Sequence, residues 1–238
     1  MRLLVVVAHP DDESFGCGSV LAAASAAGDE TVVLCATRGE AGESRIRTDD
    51  LAAVRDAELH DAARILGVGS VVVLGHRDSG RDGDPSPGTL ASAPLATVTD
   101  QVRAVIEDVR PDVVVTLDAS DGHRDHAVIR DATVAAVDAA DHPPAATYLW
   151  CLARSSMMQW AQHVHGHEAY LAKGDLGTPD DEITTVVDVS RFVPTRWAAI
   201  RAHASQGSPY DDLPEALQVE FLAFDRLRLV RGEDLLAR

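Results

Sequence analysis

The chain is poor in the residues that would draw it to polyanions or seat it in a membrane. It holds a single lysine, Lys173, and Lys+Arg number 21 against 38 for Asp+Glu, a formal charge of −17 over 238 residues. That balance repels phosphate backbones and anionic lipid, so neither nucleic acid nor a membrane is an expected partner. Cysteine is confined to Cys17, Cys35 and Cys151. The number is odd, the spacing wide and no C-x-x-C pair occurs, which reads as free thiols in a reducing cytosol. Cys17 has no His/Asn arrangement around it, so a cysteine nucleophile is not expected. Aromatic residues make up only 4%; Trp150, Trp160, Trp197, Phe221 and Phe224 read as core rather than as sugar-stacking platforms. The first apolar run, Leu3–Ala8, meets charge too soon for a signal-peptide core or a membrane span. The expected location is therefore cytoplasmic.

What the chain does have is enough apolar surface for a core, with 46% hydrophobic and 25% charged residues. No internal repeat or linker divides it. The expectation is one domain over 1–238, a core over 1–145 and C-terminal elements over 146–238 that complete the site. Apolar runs at Leu3–Ala8, Thr31–Ala36, Val71–Leu74 and Asp112–Leu117 predict buried strands. Helices are predicted between them over Ser19–Ala27, Asp49–Leu66 and Leu95–Val109, and then over Ala127–Ala140. Later segments are weaker: strands over Ala146–Leu152 and Thr184–Val189, a helix over Val193–Ala204 and an amphipathic stretch over Glu215–Leu229. The fold class is α/β, a Rossmann-like doubly wound, mostly parallel sheet with a C-terminal α+β extension. The Gly/Pro/Asp/Ser-rich loop up to Ser92 is expected to be the most mobile segment.

Two strands end in polar clusters. The first reads His9-Pro10-Asp11-Asp12-Glu13 and the second Asp118, Asp121, Gly122, His123, Arg124, Asp125, His126. With the common 3-2-1-4 strand order the clusters become neighbours at the carboxyl edge of the sheet, where ligands of such sheets bind. Carboxylates and imidazoles packed this closely call for a positive centre, and a divalent metal is the simplest. His9, Asp12 and His126 would form a facial set with open positions, a catalytic rather than a structural pattern. Asp11 beside them could take a proton from an activated water and return it to a leaving group. The first cluster alone would also serve as a turn and helix cap. Glu13 reads as a helix start, Glu40 and Glu43 as solvated loop carboxylates, and His60 and His142 as surface residues. His163, His165 and His167 alternate in a segment that reads as a loop.

The motifs A-H-P-D-D-E at Ala8–Glu13, T-R-G-E-A-G at Thr37–Gly42, R-D-A-E-L at Arg55–Leu59, L-G-H-R-D-S-G at Leu74–Gly80, H-R-D-H at His123–His126 and A-H-A-S-Q at Ala202–Gln206 resemble, in family order, the LmbE-like (PIG-L) zinc-dependent N-deacetylases. The resemblance implies zinc on His9, Asp12 and His126, with iron as the alternative ion. It implies Asp11 as general base and then acid, a protonated His123 on the tetrahedral oxyanion, and Asp125 orienting its neighbours. Arg55, Asp78 and His203 are implied on the substrate side. Some sugar deacetylases of the family carry a tyrosine two residues before the first histidine of H-x-D-H; this chain has Asp121. The expected partner is a small N-acyl substrate derived from an amino sugar, with a homo-oligomer left open. Alternatives are an amidase acting on a thiol conjugate or antibiotic intermediate, and a non-catalytic sugar- or nucleotide-binding module. The lack of G-x-G-x-x-G after the first strand argues against the last.

Overall fold

In the computed structural model the described residues are 1–81, 83–163 and 176–236. Strand β1, Arg2–Val7, lies inside a seven-stranded sheet. The other strands are β2 (Glu30–Thr37), β3 (Ser70–His76), β4 (Val113–Leu117), β5 (Ala146–Trp150), β6 (Thr185–Asp188) and β7 (Phe224–Gly232), in the order β3-β2-β1-β4-β5-β7-β6. Strands β1 to β5 pair in parallel, whereas β7 runs antiparallel to both β5 and β6. The predicted order of the first four strands is the observed one.

Burial on both faces explains the unbroken apolar run of β1. Leu3, Val5 and Val7 face one cluster, which takes Val20 and Leu21 from helix α2 (Gly18–Ala26) and Leu59, Ala62 and Leu66 from α3 (Leu51–Leu66). Leu4, Val6 and Ala8 face the other, with Val98, Val102 and Ile106 of α4 (Leu95–Val109) and Ile129, Ala132 and Ala136 of α5 (Arg124–Asp138). The alternation is the two-residue period of a strand between two helical layers. Helix α3 starts where Asp50 accepts the amide of Ala53 and stops at Gly67, whose φ of 75° suits glycine. A four-residue helix α1, Asp12–Phe15, follows β1 directly. Further helices are α6 (Arg154–Trp160), α7 (Val193–Ala202) and α8 (Glu215–Leu222).

Two sequence expectations change. Helix α5 begins at Arg124, three residues before the predicted start, because His123 caps it by accepting the amide of Asp125. The stretch Glu215–Leu229 is not one amphipathic element. It divides into α8 and β7, where Asp225 and Leu227 turn inward while Arg226 and Arg228 are less buried, an alternation of period two.

The C-terminal elements are bound to the rest through Arg196 of α7, which has no solvent exposure. Its Nη1 donates to Asp225 Oδ1 at 3.0 Å and Nε to the Ser14 carbonyl at 3.0 Å. Its Nη2 donates to the carbonyls of Phe15 at 2.5 Å and Gly16 at 2.6 Å. Removing this guanidinium leaves the buried charge of Asp225 without its counter-ion and takes a donor from the carbonyls of Ser14, Phe15 and Gly16. Arg196→Met is expected to lower stability by about 3–5 kcal/mol, read from the shift of the urea unfolding midpoint; a loss below about 1 kcal/mol would mean that the pair contributes no more than a surface one.

Candidate metal centre and active site

The parallel pairing of β1 with β4 brings their carboxyl ends together. Residues His9 to Asp12 leave β1 there, while His123 caps α5 and Asp125 and His126 occupy its first turn. The three imidazoles face one another, with ring centroids 4.6 Å apart for His9–His123, 4.8 Å for His123–His126 and 5.3 Å for His9–His126.

Each of two histidines is held by a carboxylate on one nitrogen and turns the other toward Asp12. His9 has Nε2 at 3.2 Å from Asp125 and 3.5 Å from Asp78, and Nδ1 at 3.5 Å from Asp12 Oδ2. His126 has Nδ1 at 2.8 Å from Asp121 and Nε2 at 3.3 Å from Asp12 Oδ1. The Nε2 of His126 is buried and has no hydrogen-bond partner. A carboxylate that accepts one ring N–H fixes the tautomer and leaves the lone pair of the other nitrogen free to ligate. Asp121, at the position of the family tyrosine, therefore acts on His126. Its second oxygen accepts the amide of His123 at 3.0 Å.

Charge points the same way. Burial works against a protonated His126, yet Asp12 and Asp121 carry it up to about 10. His9 is likewise raised, its burial outweighed by Asp12, Asp125 and Asp78. The field of these carboxylates favours a cation, and the donor set fits a divalent one. Among the described residues two groupings bring donor atoms within 4.8 Å of one another, His9/His123/His126 and His9/Asp78/Asp125. His9 belongs to both and to the expected set with Asp12 and His126.

His123 differs from the expectation of a protonated residue. Burial and the neighbouring His9 and His126 push it down to about 4, so at neutral pH it is a neutral imidazole. It can stabilise an oxyanion by a hydrogen bond rather than by charge.

Asp11 sits at φ 111°, a conformation that costs a non-glycine residue on the order of 1–3 kcal/mol. Two buried charges hold it there. Glu13, fully buried, accepts the Asp11 amide at 2.9 Å. Arg55 donates Nη2 to Asp11 Oδ2 at 2.9 Å and to the Pro10 carbonyl, and Nη1 to the Gly39 carbonyl at 2.6 Å. Arg55 lies on the same stripe of α3 as Leu59 and Leu66, which is why it is buried. Gly39 is needed because its φ is 66° and a Cβ there would lie 2.4 Å from the Arg55 guanidinium. Burial raises Asp11 to about 6, Arg55 opposing and Asp12 adding to the rise.

Arg55, expected on the substrate side, is 3% exposed and spends its Nη atoms on Asp11 and on backbone. His203 is 1% exposed, its Nε2 at 2.7 Å from Glu13 Oε1. Asp78 approaches His9 and accepts the Gly80 amide at 2.8 Å. Asp125 is fully buried between His9 and the Ser79 amide. The sequence reading missed Glu13 as the partner of His203, since 190 residues separate them. His60 and His142 are exposed, as is Glu43. Glu40 accepts the Asp78 amide at 3.3 Å and has its other oxygen buried without a partner. Burial pushes the Cys17 thiol well up. His163 follows α6, whereas His165 and His167 lie outside the described residues.

A family profile described as GlcNAc-PI de-N-acetylase, PIG-L, matches residues 4–137. A 1D-myo-inositol 2-acetamido-2-deoxy-alpha-D-glucopyranoside deacetylase from Geodermatophilus obscurus is 34% identical, the alignment covering 98% of this chain and 92% of that protein. Among solved structures, a teicoplanin deacetylase superposes with a TM-score of 0.67 at 21% identity, covering 98% of this chain and 100% of the other. The 4-carboxy-2-hydroxymuconate hydratase from Pseudomonas putida does so with a TM-score of 0.67 at 19% identity, covering 98% and 97%. At such identities these two share the fold. No helix among the described residues is long and apolar enough to cross a membrane.

The buttress on His126 makes a measurable claim. Asp121→Ala should weaken divalent-metal binding about 10- to 100-fold in a chelator-competition titration, and Asp121→Asn less so. Unchanged affinity in Asp121→Ala would show that the Asp121–His126 contact does not orient a ligand.

Proposed function

The chain belongs to the PIG-L family of de-N-acetylases, and from that premise we propose that it hydrolyses an N-acyl group, acetyl in the simplest case, on a small molecule containing an amino sugar. The relative from Geodermatophilus obscurus bears the name of a deacetylase for such a compound, a 2-acetamido-2-deoxyglucoside of inositol. The observation that carries the reading is the pair of buttressed histidines whose remaining nitrogens converge on Asp12. On this reading His9, Asp12 and His126 hold the metal. Zinc suits two imidazoles and a carboxylate with positions left open, and iron is the alternative for the same ligands. The bound ion supplies Lewis acidity, which polarises the acyl carbonyl and acidifies water.

The chain's own groups supply the proton transfers. Asp11 has Oδ2 occupied by Arg55, so Oδ1 is the oxygen that takes the proton of the attacking water. A value near 6 lets the same carboxyl return that proton to the departing amine, which leaves far more readily as a neutral molecule. His123, neutral, donates its N–H to the oxygen that gains charge. Asp78 and Asp125 fix the His9 ring from behind. Arg55 and Glu13 keep Asp11 in its conformation, and His203 keeps Glu13 in place.

Two variants separate the roles. Asp11→Asn is expected to lose deacetylation of N-acetylglucosamine derivatives by more than about a hundredfold while elemental mass spectrometry finds the metal content of the parent chain. His126→Ala is expected to lose the metal. Normal turnover in Asp11→Asn would remove Asp11 from proton transfer, and metal retained in His126→Ala would place the ion on the His9/Asp78/Asp125 side.

A further inference from the structure

A cavity of about 290 Å³ opens beside the metal centre and includes Asp12 and His126 in its wall. The remainder of that wall is unlike the centre. Phe15, Trp150, Trp160, Tyr210 and Phe221 line it, five of the ten aromatic residues in a chain that is 4% aromatic. The rings brace one another, with centroids 6.3 Å apart for Phe15–Tyr210 and 5.7 Å for Tyr210–Phe221.

The polar atoms of these rings are already engaged within the protein. Trp150 Nε1 donates to Asp225 at 3.2 Å, Trp160 Nε1 to the Pro209 carbonyl at 3.1 Å and the Tyr210 hydroxyl to the Phe15 carbonyl at 2.7 Å. The two carboxylates near the mouth have partners as well. Asp118 accepts from Ser120 and Thr178, and Asp121 from the His123 amide and His126. Outside Asp12, His126 and Arg81 at its edge, what the wall offers an occupant is mostly hydrocarbon, with Leu117, Leu152, Met157 and Leu176 beside the rings. A sugar ring pushed into it would exchange water for few new hydrogen bonds, at a penalty for each hydroxyl stripped. An alkyl or aryl group entering the same space gains from its own burial.

We propose that the substrate carries an apolar alkyl or aryl group close to the scissile amide and that this cavity receives it, with the aromatic wall selecting for it. The proposal rests on the deacetylase reading above. The group can belong to the acyl chain on nitrogen or to an aglycone on the sugar, and the chemistry of the cavity is the same for both.

Two substrate panels given to the metal-loaded full chain distinguish these sources. One varies the acyl group of glucosamine from acetyl through butanoyl and hexanoyl to octanoyl. The other keeps N-acetyl and varies the anomeric group among methyl, hexyl, octyl and phenyl. Along one panel kcat/KM is expected to rise about threefold per added methylene until the cavity is full, and the panel that rises names the side that enters. Met157 also lines the cavity, and in Met157→Gln, a near-isosteric change that brings an amide into the wall, the increment per methylene should shrink. Trp160→Ala should shrink it as well, which guards against a folding defect peculiar to one variant.

Flat kcat/KM along both panels, with hydrolysis retained, would overturn the apolar subsite and leave the deacetylase reading standing. No hydrolysis of any member by metal-loaded protein would instead overturn that reading. The cavity is then tested by tryptophan fluorescence, since Trp150 and Trp160 line it. Saturable quenching by the octyl glycoside and not by the methyl one supports an apolar site, and equal responses sink it.

Discussion

A guanidinium out of reach of water holds the catalytic edge to the C-terminal third of the chain. Arg196 meets the carbonyls at the end of α1, the carboxylate of Asp225 and, at 3.4 Å, the last carbonyls of α8. A buried charge is tolerated only when nearly all its donors are matched, so these segments cannot drift apart independently. Because the carbonyls belong to Ser14, Phe15 and Gly16, the position of α1 is set from outside the first polar cluster. Two further buried charges continue the constraint inward, Glu13 against His203 and Arg55 against Asp11. The uncommon backbone of Asp11 persists because its amide, its carboxylate and the preceding carbonyl are each claimed by one of these groups.

The centre itself is a solution to crowding. Asp11, Asp12, Asp78, Asp121 and Asp125 converge on three imidazoles. Asp78, Asp121 and Asp125 are turned to the back of His9 and His126, while Asp12 is shared between their front faces. The carboxylates thus differ in task according to which ring nitrogen they touch. Asp121 is the clearest instance: in sequence it is only the residue that stands in place of the family tyrosine, and in three dimensions its charge is spent on Nδ1 of His126.

What could be read from the sequence follows the range of the interactions involved. Strand β1 was legible because burial on both faces leaves an uninterrupted apolar run, and β4 for the same reason. Their adjacency followed from topology, and with it the meeting of the two polar clusters. The division of Glu215–Leu229 into a helix and a strand was obscured because Asp225, a charge on the inward side, breaks the apolar alternation. That residue is tolerated inward because Arg196, 29 positions earlier, meets its charge, with the Val20 amide and the Trp150 indole as further donors. Glu13 reads locally as a helix start, and its partner His203 lies in another motif altogether. The cavity was invisible for a similar reason, since its aromatic residues lie far apart in the chain and resemble ordinary core.

A hydratase with the same fold shows that the sheet and its switch point do not dictate the reaction. In this chain the atoms assigned to bond cleavage come from residues up to His126. The aromatic wall beside them comes mainly from Trp150 onward. On the proposed reading, chemistry and selectivity are encoded in separate stretches joined through Arg196. On that reading, mutational drift in the later stretch can retune what is admitted without disturbing how the bond is broken, provided that Asp225 and the two residues that reach back to α1 and Glu13, Arg196 and His203, are kept.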